Sequence, residues 1–527
     1  MSSVGFSGVL GRTHLAVLSR RRHELLVTGL AAAIPLAIAL GIAVKVPNPN
    51  FFLAAGIVAG ALGLVALVVS TRYEVTLALL MLYFGLLDGP IKLESASQGA
   101  SAIRDVLIGS ICLGAVVRII VKRERIRLPP LFGWVLAFVV LVLVEAVNPE
   151  TKGVAKIVGG FRQQLEWVPF FFFGYMLMRS KARFRKFFLI LGVIALANGV
   201  VSTIQTQLTP AQLSKWGPGY EQRIKGVGVS GRTYVDSEGI SRVRPMALGS
   251  DIGFGGVVGV LALPGLLALL GTGRVRRRWA AVVLCLGALL AVATSLQREA
   301  VLGAVIAAVA FAVLSASAGR RATRVLTWLL VVAALAFALA SVLAPDAGKG
   351  VFSRYASITP SKAATTSVNY REKTLAQIPS DIKNYPFGAG LSIAGAGAGF
   401  GGNPGAVIEG QHASAESQYN YVTLELGLPG LLLWISLSIS VIVLAIRGLR
   451  HIADLELRLS LAAVFAVVIA YTVMGFVGPT MSSLPFGPYF WFALGIASYW
   501  FAGRDRTGRV VAQRLGIDDT MTRGDPA

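Results

Sequence analysis

Hydrophobic runs of roughly 17 to 25 residues recur from one end of this chain to the other, each long enough to cross a bilayer core of roughly 30 Å. Backbone groups inside lipid have no water to bond, so a chain that crosses repeatedly must close its own hydrogen bonds, and runs of this length do so as helices. Of 527 residues, 55% are hydrophobic and 14% charged, which excludes a disordered or ordinary soluble protein. The expected class is an all-α polytopic membrane protein.

The runs fall at about 25–44, 51–70, 74–87, 103–121, 131–147, 156–178, 187–208, 246–271, 278–294, 299–315, 323–344, 418–446, 459–478 and 484–502. That predicts about fourteen transmembrane helices. The first follows Arg20-Arg21-Arg22 but is long for a cleaved signal and lacks a small-x-small site, so it reads as a permanent span. The third is short and open to a re-entrant reading, and the sixth carries Arg162 and Glu166.

The net charge is +23. Its placement argues against nucleic acid, because many of the basic residues stand in short loops between apolar runs. With the N-terminus cytoplasmic, Arg72, Arg118–Arg127, Arg179–Lys186, Arg274–Arg278, Arg320–Arg324, Arg447–Arg458 and the tail from Arg504 all fall inside. The loops 45–50, 148–155 and 479–483 between them are poor in basic residues. This alternation predicts both termini in the cytoplasm. Cys112 and Cys285 each lie inside an apolar run and read as buried thiols, and four His residues without ligand spacing offer no metal site.

The expected organisation is N-terminal helices over 1–208, a long outer loop over 209–245, central helices over 246–344, a second outer loop over 345–417, C-terminal helices over 418–502 and a cytoplasmic tail over 503–527. Both outer loops are cationic, which suits an anionic substrate and equally suits an ordinary solvated surface or lipid headgroups. Within the second loop, Leu375, Ile378 and Ile382 predict an amphipathic helix over 367–385, closed by Pro386 and Gly388. The stretch GAGLSIAGAGAGFGGNPG that follows is expected to be irregular and mobile. GVGVSG at 226–231 has the spacing of a dinucleotide loop but follows no strand and is discounted.

The densest polar cluster is QHASAESQYNYVTLELGLPG, residues 411–430, immediately before a helix that enters lipid. Polar groups are costly at such a boundary. A partly desolvated Glu416 can act as general base, with His412 four residues earlier as helper or rival. Glu416 and Ser417 equally suit the N-terminus of a helix. Arg298, at a tight outward turn beside Glu299, can hold a phosphate or pair with that neighbour. Arg242 and Arg244 in SRVRPMALGSD can reach the same outer cavity, and several guanidinium forks together can grip a diphosphate. Arg162 with Glu166 and Arg104 with Asp105 read as local ion pairs.

Glu416-Ser417, nine residues and then Gly427-Leu428-Pro429-Gly430 resemble the signature of the bacterial O-antigen ligase and polymerase superfamily. So do RVRPMALGSDIGFGGVVGVLALPG, SLQREAVLGAVIAAV and NYREKTLAQIPSDIKNYPFGAGL, in the same order relative to the spans, and the similarity covers about residues 100–480. The ligases carry His where this chain has Glu416. Polymerase-like members often have an acid there, so the departure leans towards polymerase, while leaving open that His412 has taken the role.

The resemblance implies a GT-C-like helical bundle and a metal-independent, inverting glycosyltransferase with no cofactor. It works at the outer face of the bacterial cytoplasmic membrane, among membrane lipids, on undecaprenyl-diphosphate-linked glycans as donor and acceptor. It implies Glu416 as base, with His412 as the alternative, and Arg298 and Arg244 with Arg242 on the diphosphate; Arg162, Arg371, Ser417 and Gln418 are candidates for further substrate contacts. The mobile second loop would close over the substrates, and a flippase and chain-length regulator are implied as partners. A ligase moving a finished glycan to another acceptor is the nearest alternative. A transporter is more remote, since no inverted repeat is visible and the suspect charges lie near the outer boundary.

Overall fold

The computed structural model describes residues 72–95, 98–122, 128–225, 233–235, 241–272, 278–316, 375–394, 407–408, 411–412, 417–480 and 483–502, with Gly63 and Gly239. The predicted spans 25–44 and 323–344, nearly all of 51–70, and the GVGVSG stretch lie outside these residues. Among the described residues, those within 1–80 and 101–128 belong to one compact unit and those within 81–100 and 129–527 to another.

The described residues are mostly helical. Helix α1 (Tyr73–Leu82) runs through a π turn (Tyr83–Leu87) into α2 (Asp88–Ser95), so the third run continues as helix well past residue 87. Helix α3 (Gln98–Lys122) carries the Arg104–Asp105 pair, Nε to Oδ1 3.9 Å. Then follow α4 (Phe132–Glu145), α5 (Val154–Leu165), α6 (Phe170–Leu177) and α7 (Lys181–Gln207). The run expected at 156–178 is thus two helices, broken over 166–169 ahead of α6, where Pro169 has no N–H to give.

The first long loop holds α8 (Pro210–Ser214), α9 (Pro218–Lys225) and an antiparallel pair, β1 (Thr233–Val235) with β2 (Ser241–Val243). Leu93, Leu213, Tyr220, Val243 and Met246 close a small apolar core beneath it. Beyond it lie α10 (Phe254–Thr272), α11 (Arg278–Thr294) and α12 (Arg298–Ser315). The run expected from 246 therefore turns helical only at Phe254.

The second long loop contributes α13 (Ile378–Asn384) and a two-residue pair, β3 (Val407–Ile408) with β4 (Gln411–His412). Leu375, Ile378 and Ile382 are half-buried, as an amphipathic helix requires, and residues 367–374 lie outside the described part. The C-terminal part comprises α14 (Gln418–Leu449), α15 (Leu455–Met474) and α16 (Phe486–Ala497), which a π turn (Ser498–Ala502) extends.

Among the described residues, six helical segments are long and apolar enough to cross a membrane: Tyr73–Ser95, α7, α10, α12, α14 and α15; α4 and α11 are apolar but shorter. Helix α10 is apolar all round and buried on nearly every side, the behaviour of a central helix. Small residues let its neighbours close in: an added Cβ on Gly256 would collide with Ala300, and one on Gly259 with the Ala288 carbonyl. Ala300, Ala304, Ala307 and Ala470 continue that seam between α12 and α15.

At one end of the bundle Lys181 Nζ meets Asp454 Oδ2 at 3.1 Å, and Arg185 pairs with Glu456, Nη2 to Oε2 2.8 Å. The other end holds the polar machinery.

Candidate functional site

Polar side chains on α7 shape that end. Gln205 Oε1 accepts from Met246 N (2.9 Å) and Ala247 N (2.7 Å), while its Nε2 donates to Ala247 O (3.1 Å). Earlier on the helix, Asn198 Oδ1 accepts from Leu248 N at 3.0 Å. These bonds hold the irregular turn 244–253 on the end of α7, with Ala247 in the left-handed region at φ 54°. Gln297 Nε2 then donates to Ile252 O at 3.0 Å and ties this turn to the start of α12.

That tie brings two of the anticipated arginines together. Burial lowers the pKa of Arg244 from the usual arginine value, the carboxylate of Glu299 opposes the shift, and the like charge of Arg298 adds to it. Arg244 and Arg298 therefore feel one another, and Glu299 acts on the same group. The Arg244 Nε is buried and has no hydrogen-bond partner among the described residues. Helix α12 begins at Arg298, and its N-cap Gln297 gives no side-chain cap. A helix N-terminus beside two guanidinium groups favours negative charge, and Glu299 in the first turn of α12 supplies one carboxylate there. Arg242 sends its Nη1 to Gln207 O (3.4 Å), at the last residue of α7.

The start of α14 belongs to the same end. Gln418 N donates to Gly475 O at 2.7 Å, and the Tyr419 hydroxyl donates to Thr472 O at 2.9 Å. Just past Gly475, an ideal Cβ on Gly478 would stand 3.7 Å from Glu299 Oε2. The segment closing α15 is thus bonded to the start of α14 and comes close to Glu299 near the start of α12. Ser417 is the N-cap of α14, its Oγ accepting from Asn420 N at 3.1 Å, so the capping role read from the sequence is the one this residue fills. Gln418 is fully buried. The backbone of His412 lies in β4, opposite Val407. Glu416 and Arg371 lie outside the described residues, and Arg162 lies on α5, beside Gln163 and Gln164.

The sequence reading missed a second polar constellation. Glu425, two residues before the Gly-Leu-Pro-Gly motif, is fully buried. Its Oε2 accepts from Gln164 Nε2 at 2.7 Å. Its Oε1 accepts from Gln163 Nε2 (3.1 Å), Ile393 N (3.2 Å) and Ala394 N (3.4 Å). A Glu inside VTLELGLPG and adjacent glutamines inside an apolar helix were the available signals, since polar groups at such depth normally serve one another or a function.

Glu425 faces a stretch of the second long loop, Pro386–Ala394, here termed the strap. Helix α14 breaks at Gly427, where φ is 65° and ψ −164°. The break releases Leu424 O and Leu428 N from each other. Ala389 N donates to Leu424 O (2.8 Å) and Pro386 O accepts from Leu428 N (2.9 Å), so the strap completes the interrupted helix. Pro429 has no N–H for the Glu425 carbonyl, which leaves room for Gly388 against it. Thr151 Oγ1 takes Leu391 N (2.8 Å), Lys156 Nζ donates to Ser392 O (3.0 Å) and Asn148 Nδ2 to Gly388 O (3.1 Å). The expectation of a mobile Gly-rich stretch is therefore wrong for Gly388–Ala394: backbone bonds fasten it along its length and residues 389–394 are buried. Its glycines serve close approach.

Among the described residues, no group of three or more His, Cys, Asp or Glu side chains is placed to hold a metal ion. A family model described as O-antigen ligase matches residues 280–435, from α11 through the strap into α14, consistent with a member of the O-antigen ligase/polymerase superfamily. No curated protein and no solved structure matches the chain. The matched stretch contains Arg298, His412, Glu416, Ser417, Gln418, Glu425 and Gly427.

Proposed function

We propose, from the O-antigen ligase family match, that this chain polymerises lipid-linked glycans: a metal-independent, inverting glycosyltransferase joining undecaprenyl-diphosphate-linked repeat units. The observation that carries the reading is that the turn bearing Arg244, held by Gln205 and tied by Gln297 to the start of α12, stands beside Arg298, the first residue of that helix. A departing diphosphate needs fixed positive charge as it forms, and Arg298 at the start of α12 with Arg244 on the turn tied to it would supply it without a metal. Glu416, directly before the α14 cap, would take the proton from the acceptor sugar hydroxyl. That oxygen attacks the anomeric carbon, and the bond from that carbon to the diphosphate oxygen breaks with its electron pair going to the phosphate. His412 is the alternative base. Arg242, Arg162, Arg371, Ser417 and Gln418 are reserved for further substrate contacts.

The same reading sets the chain in the bacterial cytoplasmic membrane with about fourteen spans, both termini inside, the six segments divided as above, and the site outside. A flippase and a chain-length regulator would work beside it. Ligation is the second reading, favoured by the description of the matching family. Glu416 where ligases carry His leans the other way.

Cells with and without the chain separate the two. Undecaprenyl-linked glycans are extracted and sized. Single repeat units accumulating on the carrier in its absence support polymerisation, and long glycans stranded on the carrier support ligation. An unchanged lipid-linked pool contradicts both.

A further inference from the structure

Glu425 has no part in the chemistry above, yet it is a fully buried carboxylate with both oxygens hydrogen-bonded. Its two oxygens do different work. Oε2 takes the amide of Gln164, whereas Oε1 gathers the backbone amides of Ile393 and Ala394 together with Gln163. Gln163 in turn donates to Ala394 O at 3.2 Å, so the end of the strap is bonded through both its N–H and its C=O groups. The near end is fastened by Leu424 and Leu428, the middle by Thr151 and Lys156. Ser392 sits in the left-handed region at φ 57° and donates its hydroxyl to Lys156 O at 2.8 Å. A non-glycine residue holds such a backbone only when its surroundings fix it.

In sequence, Ala394 is followed by His412, Glu416 and then Ser417, which caps α14. Further along that same helix stands Glu425, whose carboxylate holds the strap. One short stretch of α14 therefore holds both Ala394, through Glu425, and Ser417, the described residues on either side of the proposed base in sequence.

We propose that Glu425 is a positioning residue of the transfer reaction, its Oε1 fastening the strap across the break in α14 and so fixing the stem from which the chain runs to His412 and Glu416. The inference rests on the glycosyl-transfer reading for its effect on rate, but the fastening itself is measurable without turnover.

Geometry makes the substitutions diagnostic. A glutamine at 425 keeps an oxygen for Ile393, Ala394 and Gln163. Its Nε2 finds the Gln164 amide oxygen, which is buried without a partner among the described residues, once that amide turns over. Glu425→Gln therefore keeps the strap in place, and Glu425→Leu releases it. Ser392→Cys, in a Cys112→Ala, Cys285→Ala background, reports the strap through reaction of its thiol with a membrane-impermeant maleimide. The expected result is slow labelling with Glu425 or Glu425→Gln, and labelling about tenfold faster or more with Glu425→Leu. In turnover, Glu425→Leu lowers kcat by about 100-fold while the donor KM, set at the Arg244–Arg298 end, stays within about twofold; Glu425→Gln stays near wild type.

Thr151→Val, which removes the Leu391 tie from the opposite side, gives the same labelling and the same kcat loss should Glu425→Leu fail to accumulate in membranes. A thiol that stays protected in both Glu425→Leu and Thr151→Val overturns the proposal. So does a Glu425→Gln enzyme that is inactive with its thiol protected, because the carboxylate would then be needed for chemistry. Faster labelling with no glycosyl transfer by the unsubstituted protein leaves the fastening intact and sinks the functional reading alone.

Discussion

Leu428 N donates to Pro386 O at 2.9 Å, not to the carbonyl four residues before it on its own helix. One backbone bond of α14 is thereby exchanged for a bond to the second long loop. The Gly-Leu-Pro-Gly motif makes the exchange possible, since Gly427 takes the turn and Pro429 brings no N–H that needs a helical acceptor.

Gly427→Ala tests that exchange. With φ 65° and ψ −164° the residue occupies a region held essentially by glycine. An added Cβ would also stand 2.5 Å from Gly388 N and Pro386 O. Strain of about 1–3 kcal/mol, together with the collision, is expected to displace the strap. Thermal unfolding of the detergent-solubilised protein checks it, with a lowered midpoint expected.

Arg244→Lys and Arg298→Lys test the diphosphate grip. A lysine keeps the charge and loses the planar fork, so a rate loss of about 10- to 100-fold is expected from the loss of about 1.4–2.7 kcal/mol of charge-assisted binding. The pH dependence separates the two residues further. Burial and Arg298 both push the group at 244 towards its neutral form. An arginine still keeps its proton there across the working range, whereas a lysine, with a lower starting pKa, loses it sooner. Arg244→Lys activity is therefore expected to fall as pH rises through a range where wild-type activity is level.

Gln205→Leu tests the support beneath Arg244. The substitution strands Met246 N, Ala247 N and Ala247 O, at about 1–3 kcal/mol for each buried group left without a partner. The turn 244–253 is expected to loosen, raising the donor KM more than it lowers kcat. Steady-state kinetics on the lipid-linked donor decide it.

Much of the helical frame was legible in the sequence. The run 278–294 coincides with α11, and the start expected at 418 coincides with that of α14. Length and hydropathy suffice there, because lipid leaves a long apolar run one way to satisfy its backbone. They fail where backbone partners come from elsewhere. Residues 246–253 sit within an apolar run, but Gln205 and Asn198 on α7 take their amides instead. The glycines of the strap looked like slack for the same reason: their partners, Leu424, Thr151 and Glu425, are distant in sequence. Arg244 and Arg298 were legible as neighbours because both stand close to predicted helix starts. Glu425 was not, because its glutamine partners stand 261 and 262 residues away in the chain.

The most direct measurement of the central claim uses purified protein in lipid, a lipid-diphosphate-linked repeat unit, and Glu416→Gln beside wild type. Wild type is expected to lengthen the glycan and release the lipid diphosphate. Glu416→Gln is expected to bind the donor but transfer about 10²- to 10⁴-fold more slowly. Transfer by Glu416→Gln at the wild-type rate would contradict the account, and the base would then have to be sought at His412.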